Sequence, residues 1–231
     1  GMFSFAIYDK DSKTLKLWRD RLGIKPLYYF WDGKNFAFAS ELKALLELPV
    51  SKEINNDVFK DYLFLEYTPA PNTILKNFYK LEKGHQLMVN EGKVEKRCYY
   101  DLLDKVRPDS EINPVDSSML TDLIRSSIRY RSISDVPIGT FLSGGTDSSL
   151  ITALFNEIND QKAKSFTIGF PEKKYDESAY AQAVAEKLEC QLNLSVIQPR
   201  WSQDLVPELV QHYDEPFAVP SVIPSLEVCK H

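Results

Sequence analysis

Residues 138–149 are Ile-Gly-Thr-Phe-Leu-Ser-Gly-Gly-Thr-Asp-Ser-Ser, and they indicate the architecture of the second half of the chain. An apolar run passes directly into two adjacent glycines and a serine-rich segment, and an amphipathic pattern follows at once. Adjacent glycines accept positive φ and let the backbone approach an anion, and successive N–H groups form an anion-binding nest. A helix that begins there directs its positive dipole end at the same point. The stretch therefore predicts a strand, a phosphate-binding turn and a helix, in that order.

One acidic residue, Asp147, lies inside this predicted anion site. A carboxylate repels phosphate unless a cation lies between them, and Mg²⁺ prefers a carboxylate together with phosphate oxygens. The stretch has neither the GxxxxGK[ST] pattern of a Walker-type loop nor the GxGxxG spacing of a dinucleotide fingerprint. Without the Walker lysine, the turn suits holding and releasing pyrophosphate, with Asp147 as a Mg²⁺ ligand, rather than transferring a γ-phosphoryl group.

Helices and strands alternate on both sides of this stretch. The predicted elements are helix 115–131, strand 138–142, helix 147–159, strand 165–170, helix 177–188, strand 191–197 and helix 202–213. The first of these helices is expected to bury Leu120, Leu123, Ile124 and Ile128. This alternation is typical of βαβ units and a parallel sheet covered on both faces. Asp176 and Glu177 are expected to start and cap a helix, where acidic residues suit the dipole.

The first hundred residues instead favour antiparallel strands, because apolar and polar residues alternate. The predicted elements are strands at 3–8 and 15–18, a hairpin over 27–38 that turns at Asp32-Gly33, a short capped helix from Ser40, a helix over 57–66 with Val58, Tyr62 and Leu65 on one face, and a hairpin about 90–92. The aromatic run Tyr28–Trp31 is expected in the core. Residues 104–117 are polar, contain two prolines and predict a linker.

Composition excludes several classes of protein. The chain has 231 residues, of which 43% are hydrophobic and 26% charged, with a net charge of −5, values that exclude collagen, coiled coil and long disorder. No apolar run reaches the ~20 residues of a membrane span, no leader is visible, and no basic stripe suggests nucleic acid. Three cysteines without a CxxC pattern and three scattered histidines form neither a disulfide framework nor a zinc signature. A cytoplasmic protein is expected.

The segment Ser143–Ser149 resembles the pyrophosphate loop of the ATP pyrophosphatase (PP-loop) family, whose pattern is SGGxDS. The rest of the chain resembles the glutamine-hydrolysing asparagine synthetases within that group. The resemblance is carried by residues 1–9, 19–29, 38–45, 67–74, 81–85, 134–139 and 213–217. It therefore extends over nearly the whole chain.

The resemblance implies a fold in two parts: a partial Ntn-type glutaminase β-sandwich over residues 1–103, and a partial PP-loop, doubly wound parallel sheet over residues 104–231. It implies a ligase of the amidotransferase type that uses ATP and Mg²⁺. In that family one domain releases ammonia from glutamine, and the other adenylates the β-carboxylate of aspartate before ammonia displaces AMP. The implied partners are aspartate, glutamine or ammonia, and ATP, without nucleic acid or membrane; a homodimer is left open.

By position in the family, the resemblance also implies the site residues. Those implied for ATP and pyrophosphate are Leu142, Ser143, Gly144, Gly145, Thr146, Asp147, Ser148, Ser149 and Ile168. Asp147 is implied as the Mg²⁺ ligand and the catalytic residue, while Leu142 and Ile168 match positions whose backbone or side chain contacts the adenosine. For Ile168, a core position in a buried strand is an equally good interpretation, and both can hold.

Compared with the family, the chain opens inside the glutaminase domain, after its amino-terminal cysteine, and stops before the later SG(E/D)G-type segment and catalytic lysine. The isolated chain is therefore expected to lack glutaminase activity and to have little or no synthetase activity. Cys98 is interpreted as structural rather than as a substitute nucleophile, and His85 as a turn residue. Asp214-Glu215 are interpreted either as facing the aspartate or ammonia site or as a helix-terminating turn.

Two other functions stay open at this point. One is a different PP-loop amidotransferase, similar to a β-lactam synthetase or to a sugar- or peptide-amidating enzyme. The other is a non-catalytic interaction remnant, whose strand edges and apolar surface would pair with another chain.

Overall fold

The computed structural model of the chain describes residues 1–106, 116–159, 161–197 and 205–230. The chain forms two compact units, one of Gly1–Ser110 with Trp201–Val219 and one of Glu111–Arg200 with Pro220–His231. The first contains antiparallel sheets and the second a parallel sheet, so the predicted mixed α/β class is confirmed. Most of the predicted linker lies at 107–115, outside the described residues. Within the described ranges, no helix has the length and apolarity to cross a bilayer.

The described strands and helices follow one another in this chain order: β1 (Ser4–Asp9), β2 (Thr14–Arg19), β3 (Tyr28–Trp31), β4 (Phe36–Ala39), α1 (Leu42–Leu45), α2 (Asn56–Leu65), β5 (Phe78–Lys80), β6 (His85–Asn90), β7 (Lys93–Cys98), α3 (Ser117–Arg131), β8 (Gly139–Phe141), α4 (Thr146–Ile158), β9 (Lys164–Gly169), α5 (Ser178–Leu188), β10 (Gln191–Val196), α6 (Leu205–His212) and α7 (Val222–Lys230). The elements predicted from sequence are all present where the structure describes them. The short strand β5 and the helix α7 were not predicted.

Two antiparallel sheets form the first unit, one ordered β1-β2-β6-β7 and the other β4-β3-β5. Both predicted hairpins are confirmed, since β3 pairs with β4 and β6 pairs with β7. Gly33, with φ of +91°, supplies the left-handed residue in the turn between β3 and β4. Leu17, Leu81 and Leu87 are fully buried in the core, whereas Phe5 and Ile7 of β1, expected in a half-buried strand, are 43% and 53% exposed. Of the aromatic run, Tyr29 and Phe30 are buried, as expected.

Capping of the short helix α1 differs from the prediction. The helix begins after Glu41, and neither Glu41 nor Ser40 caps it; instead the Leu42 N–H donates to the Asp214 Oδ2, at 2.6 Å. A residue distant in sequence thus supplies the acceptor that the first turn needs. In α2, Asn55 caps the first turn through its side chain, and Val58 is buried, whereas Leu65 at the other end is 39% exposed.

Asp20 organises the loop that follows β2. Its side chain is 1% exposed. Its carboxylate accepts the N–H groups of Phe3, Leu22, Ile24 and Lys25, at 3.3, 3.1, 3.0 and 2.9 Å. Burial raises the pKa of Asp20, but the four N–H donors outweigh burial and hold the pKa below its ordinary value of 3.8. The charged carboxylate therefore stabilises the folded loop.

We expect Asp20→Asn to lower the free energy of unfolding by about 1.5–3 kcal/mol at pH 7, because an amide nitrogen replaces the oxygen that accepts from Lys25 and Phe3. Since the folded pKa is depressed, this stabilisation is present above the unfolded value of 3.8 and is lost as pH falls through the folded value. Urea unfolding between pH 7 and pH 3 measures both effects. Asp11→Asn, in the exposed turn between β1 and β2, is the control; a parent-to-variant difference that does not shrink in acid contradicts the prediction.

The second unit has a parallel sheet ordered β10-β9-β8, with α4, α5 and α7 packed against it. A buried hydroxyl cluster ties α4 to the sheet: Thr140 Oγ1 lies 3.0 Å from Ser165 Oγ and accepts from Thr152 Oγ1 at 3.2 Å. Helix α3 buries Ile128, but Leu120 and Leu123 are 49% and 60% exposed, so its predicted apolar face is only partly buried. Phe141 on the edge strand β8 is 60% exposed, and the sheet is incompletely covered there.

Candidate functional site

The candidate site is the turn Leu142–Ser149, which joins β8 to α4 at the carboxyl end of the parallel sheet. In open α/β sheets this is the edge at which ligands bind. The strand places the turn at the edge through the bond from Leu142 N–H to the Phe166 carbonyl, at 2.9 Å. The predicted order of strand, turn and helix is confirmed in the second unit.

Gly144 has a requirement that no other residue type satisfies. Its φ is +82°, and an added Cβ would lie 2.6 Å from the carbonyl carbon and Cβ of Tyr180 and 2.7 Å from the Ala181 nitrogen. Both the backbone angle and the contact with the start of α5 therefore exclude a side chain. Gly145 is the N-cap residue of α4 with φ of −70°, and it is exposed. The glycine pair thus brings bare backbone to the surface at the start of a helix.

Serine hydroxyls close this turn on itself. Ser143 Oγ lies 3.0 Å from Ser148 Oγ and accepts the Gly145 N–H at 3.3 Å. The hydroxyls of Ser148 and Ser149 donate to the Gly145 carbonyl at 3.2 and 2.7 Å. Within the described chain no side chain caps α4, so its first N–H groups face outward without a protein acceptor from a cap. The turn is therefore closed by its own hydroxyls, and the uncapped start of α4 is the part of it suited to an anion.

Asp147 lies in the first turn of α4, and its side chain is exposed. Across the residues that the structure describes, no group of three or more His, Cys, Asp or Glu side chains is placed to hold a metal ion. A single exposed carboxylate beside an anion-binding turn fits Mg²⁺, which in nucleotide sites is held by one or two carboxylates and by phosphate oxygens. The donor set is accordingly suited to a metal that arrives with a phosphorylated ligand.

Leu142 and Ile168 occupy different surroundings. Leu142 is 1% exposed as a whole residue and packs against Ala181 and Ala185 of α5, and its N–H is bonded to the Phe166 carbonyl. Ile168 lies on β9 opposite Ser195 of β10, and its side chain is half-buried. Part of the Ile168 side chain is therefore buried, as a core position requires, and the rest of it is accessible to solvent.

The contact between α5 and the turn was not expected from the sequence. The prediction that Asp176 caps this helix start is confirmed: its Oδ1 accepts the N–H groups of Phe170 and Ser178, each at 3.2 Å, and its Oδ2 accepts the Ser178 hydroxyl at 2.9 Å. These bonds, led by that from the Ser178 side chain, lower the pKa of Asp176. The Asp-x-Ser spacing in the sequence is typical of a capped helix start, but it does not indicate that the helix contacts the turn.

Cys98 and His85 lie opposite each other in the register of β6 and β7, a proximity that their separation in sequence did not suggest. They do not form a nucleophile–base pair, because the His85 Nδ1 is 2.8 Å from the Lys83 carbonyl and Cys98 is an exposed free thiol. The turn interpretation of His85 fits this geometry. Cys190 and Cys229 are also free.

Asp214 and Glu215 follow α6 and belong to the first unit. Glu215 Oε1 accepts from Thr68 Oγ1 at 2.7 Å and from the Ile74 N–H at 3.1 Å, and its Oε2 lies 2.5 Å from Lys80 Nζ. These residues line part of a first-unit pocket of about 260 Å³. Burial, together with Glu215 and Asp214, raises the pKa of Tyr28 in that pocket to about 12. The turn that ends α6 therefore also links this segment to Thr68, Ile74 and Lys80 within the first unit.

Comparison with protein families divides the chain into two matches. Residues 1–100 match the model of a glutamine amidotransferase domain, and residues 119–231 match the model of asparagine synthase. The second match includes Asp214 and Glu215, which the structure places in the first unit. The family boundary and the structural boundary thus differ in this part of the chain.

Comparison with curated proteins gives relatives along the whole chain. A putative glutamine-hydrolysing asparagine synthetase 2 of Methanocaldococcus jannaschii is 38% identical, over 99% of this chain and 45% of that protein. Asparagine synthetase (glutamine-hydrolysing) 1 of Bacillus subtilis is 33% identical, over 100% of this chain and 36% of that protein. The chain thus spans less than half the length of these relatives. From the two family matches and these relatives, the chain belongs to the family of glutamine-hydrolysing asparagine synthetases.

Proposed function

We propose that the second unit binds Mg·ATP at the turn Leu142–Ser149 on behalf of an enzyme that synthesises asparagine from aspartate and glutamine. In this proposal a β-carboxylate oxygen of aspartate attacks the α-phosphorus of ATP and pyrophosphate leaves, giving β-aspartyl-AMP. Ammonia from glutamine then attacks the acyl carbon, and AMP leaves with the bonding electron pair. Because a carboxylate is a poor electrophile, adenylation supplies the leaving group that amide formation needs.

We assign residues 1–103 to the glutaminase domain, with an Ntn-type layout, and residues 104–231 to the synthetase domain, with a PP-loop layout. Ser143–Ser149 would hold the pyrophosphate through backbone N–H groups and hydroxyls, and the backbone of Leu142 together with Ile168 would border the adenosine. Asp147 would hold Mg²⁺, which when bound neutralises phosphate charge. The free state of the three cysteines supports a reducing compartment such as the cytoplasm.

The observation that carries this proposal is the close contact of Gly144 with the start of α5. An added Cβ 2.6 Å from the Tyr180 backbone means that the turn is held in one shape by its surroundings. Preorganised N–H donors at a helix start bind an anion without the free-energy cost of ordering them.

The metal part of the proposal is tested by Asp147→Asn. We expect it to weaken Mg·ATP binding about tenfold, equivalent to about 1.4 kcal/mol, and not to weaken the binding of ATP in EDTA, where the carboxylate only repels the phosphates. Asp57→Asn is the matched control, because Asp57 is also exposed in the first turn of a helix, α2. Isothermal titration of the parent and both variants, with and without Mg²⁺, measures the affinities. Equal weakening in EDTA contradicts the assignment of Asp147 as the metal ligand, and no binding by the parent contradicts the ATP site.

A further inference from the structure

Asp176 fixes the start of α5 by three hydrogen bonds. Its carboxylate joins Phe170, at the end of β9, to Ser178, the first residue of α5, and accepts both the N–H and the hydroxyl of Ser178. The next turn is hydrogen-bonded as well, since the N–H groups of Tyr180 and Ala181 donate to the Glu177 carbonyl at 3.0 and 3.2 Å. The Asp176 side chain therefore ties Phe170 to the first residue of α5, and the Glu177 carbonyl closes the helical turn that follows.

The first helical turn of α5 is also the surface against which the phosphate-binding turn Leu142–Ser149 packs. The backbone of Tyr180 and Ala181 lies where a Cβ of Gly144 would be, and the Ala181 side chain is fully buried against Leu142. Helix α5 thus contacts the turn at two residues: Leu142, which is the first residue of the turn, and Gly144, which is its left-handed glycine. A displacement of the first turn of α5 would either open a gap beside Gly144 or push the turn outward.

We infer that Asp176 is a positioning residue for the pyrophosphate-binding turn, acting through Ser178 and the first turn of α5. The inference rests on the proposed function, and it goes beyond that function by assigning a role to a residue outside the turn. Asp176 is not itself a ligand in this view, because its oxygens already accept three hydrogen bonds from the protein. Loss of those bonds frees the helix start, and the N–H donors of the turn lose the geometry in which they meet an anion.

Asp116 offers a matched control. It precedes α3 as Asp176 precedes α5, its carboxylate accepts the Ser118 N–H at 2.8 Å, and the same kind of hydrogen bond lowers its pKa. Helix α3 packs its Ile128 with Leu154 and Phe155, in the half of α4 distant from the turn. Removal of Asp116 therefore takes away a comparable helix-start hydrogen bond without touching α5.

The experiment compares Asp176→Ala, Asp176→Asn and Asp116→Ala in the full chain, by isothermal titration with Mg·ATP and with Mg·pyrophosphate and by thermal unfolding. We expect Asp176→Ala to weaken both ligands about tenfold, and Asp116→Ala to stay within about twofold of the parent even where its melting temperature falls as far. Asp176→Asn retains Oδ1 as acceptor for Phe170 and Ser178, and we expect it to bind within about threefold of the parent.

Three results would overturn the inference. Parent-like affinity of Asp176→Ala removes the positioning role while leaving the ATP site intact. Equal weakening by Asp116→Ala shows that general loss of stability, not the start of α5, controls binding. Asp176→Asn as weak as Asp176→Ala shows that the two bonds to Oδ1, which the amide keeps, do not position the turn. If the parent binds neither ligand, the proposed function itself fails, and the inference with it.

Discussion

Replacing Gly144 with alanine is expected to abolish measurable binding of Mg·ATP. The new Cβ would lie 2.6 Å from the Tyr180 backbone, where neither partner is a flexible side chain, so the turn or the start of α5 must move. The positive φ of +82° adds backbone strain of about 1–3 kcal/mol for a residue other than glycine. A shift of about 1 Å in groups that position a ligand weakens their effect about a hundredfold. Isothermal titration with Mg·ATP measures the loss.

Gly33→Ala separates the two causes. Gly33 also has a positive φ, of +91°, but nothing lies within 4 Å of an added Cβ. We expect this control to lower stability through strain alone and to leave the Mg·ATP affinity unchanged. If the Gly144→Ala variant bound Mg·ATP as tightly as the parent, the turn would not be held against α5 as the structure indicates.

Glu215→Gln is expected to lower the free energy of unfolding by about 3–5 kcal/mol, because it leaves the Lys80 ammonium without its anionic partner. The two side chains are only 15% and 10% exposed, so water replaces little of the lost interaction. Lys80 would keep its contacts to the carbonyl and hydroxyl of Thr68, which carry no opposing charge. Urea unfolding monitored by tryptophan fluorescence measures the change.

The control for this variant is Glu53→Gln, which removes an ion pair with Lys76 whose side chains are 66% and 53% exposed. Exposed pairs contribute about 0–1 kcal/mol, so the control should be nearly neutral. If the two variants destabilised the chain equally, Glu215 would be no more than a surface residue, and Trp201–Val219 would not be a necessary part of the first unit.

Local patterns predicted most of the fold. The period-2 alternation placed β1 and β2, the Asp32-Gly33 turn placed the β3–β4 hairpin, and the glycine pair placed the turn between β8 and α4. These features depend on neighbours in sequence, for which periodicity and turn chemistry are reliable guides. The same local chemistry predicts a Mg²⁺ role for Asp147, which stays a prediction.

The features that were missed depend on contacts between distant residues. Nothing in Ser40–Leu46 indicates that the first N–H of α1 is satisfied by Asp214, or that Gly144 meets the backbone of Tyr180. The predicted burial of Leu120 and Leu123 is wrong for a related reason. An apolar helical pattern does not show which other element packs against it, and both side chains are exposed. Partners of this kind are set by the tertiary arrangement, which propensity alone does not encode.

The interleaved chain order of the two units also has a consequence for synthesis on the ribosome. Domains commonly fold as they emerge, the amino-terminal one first. Here the strands of the first unit leave the exit tunnel well before Trp201–Val219, which complete that unit. Until then the nascent polypeptide carries Lys80 and the amide of Leu42 without their acidic acceptors. The first unit is therefore complete only once the chain has been translated at least through Val219.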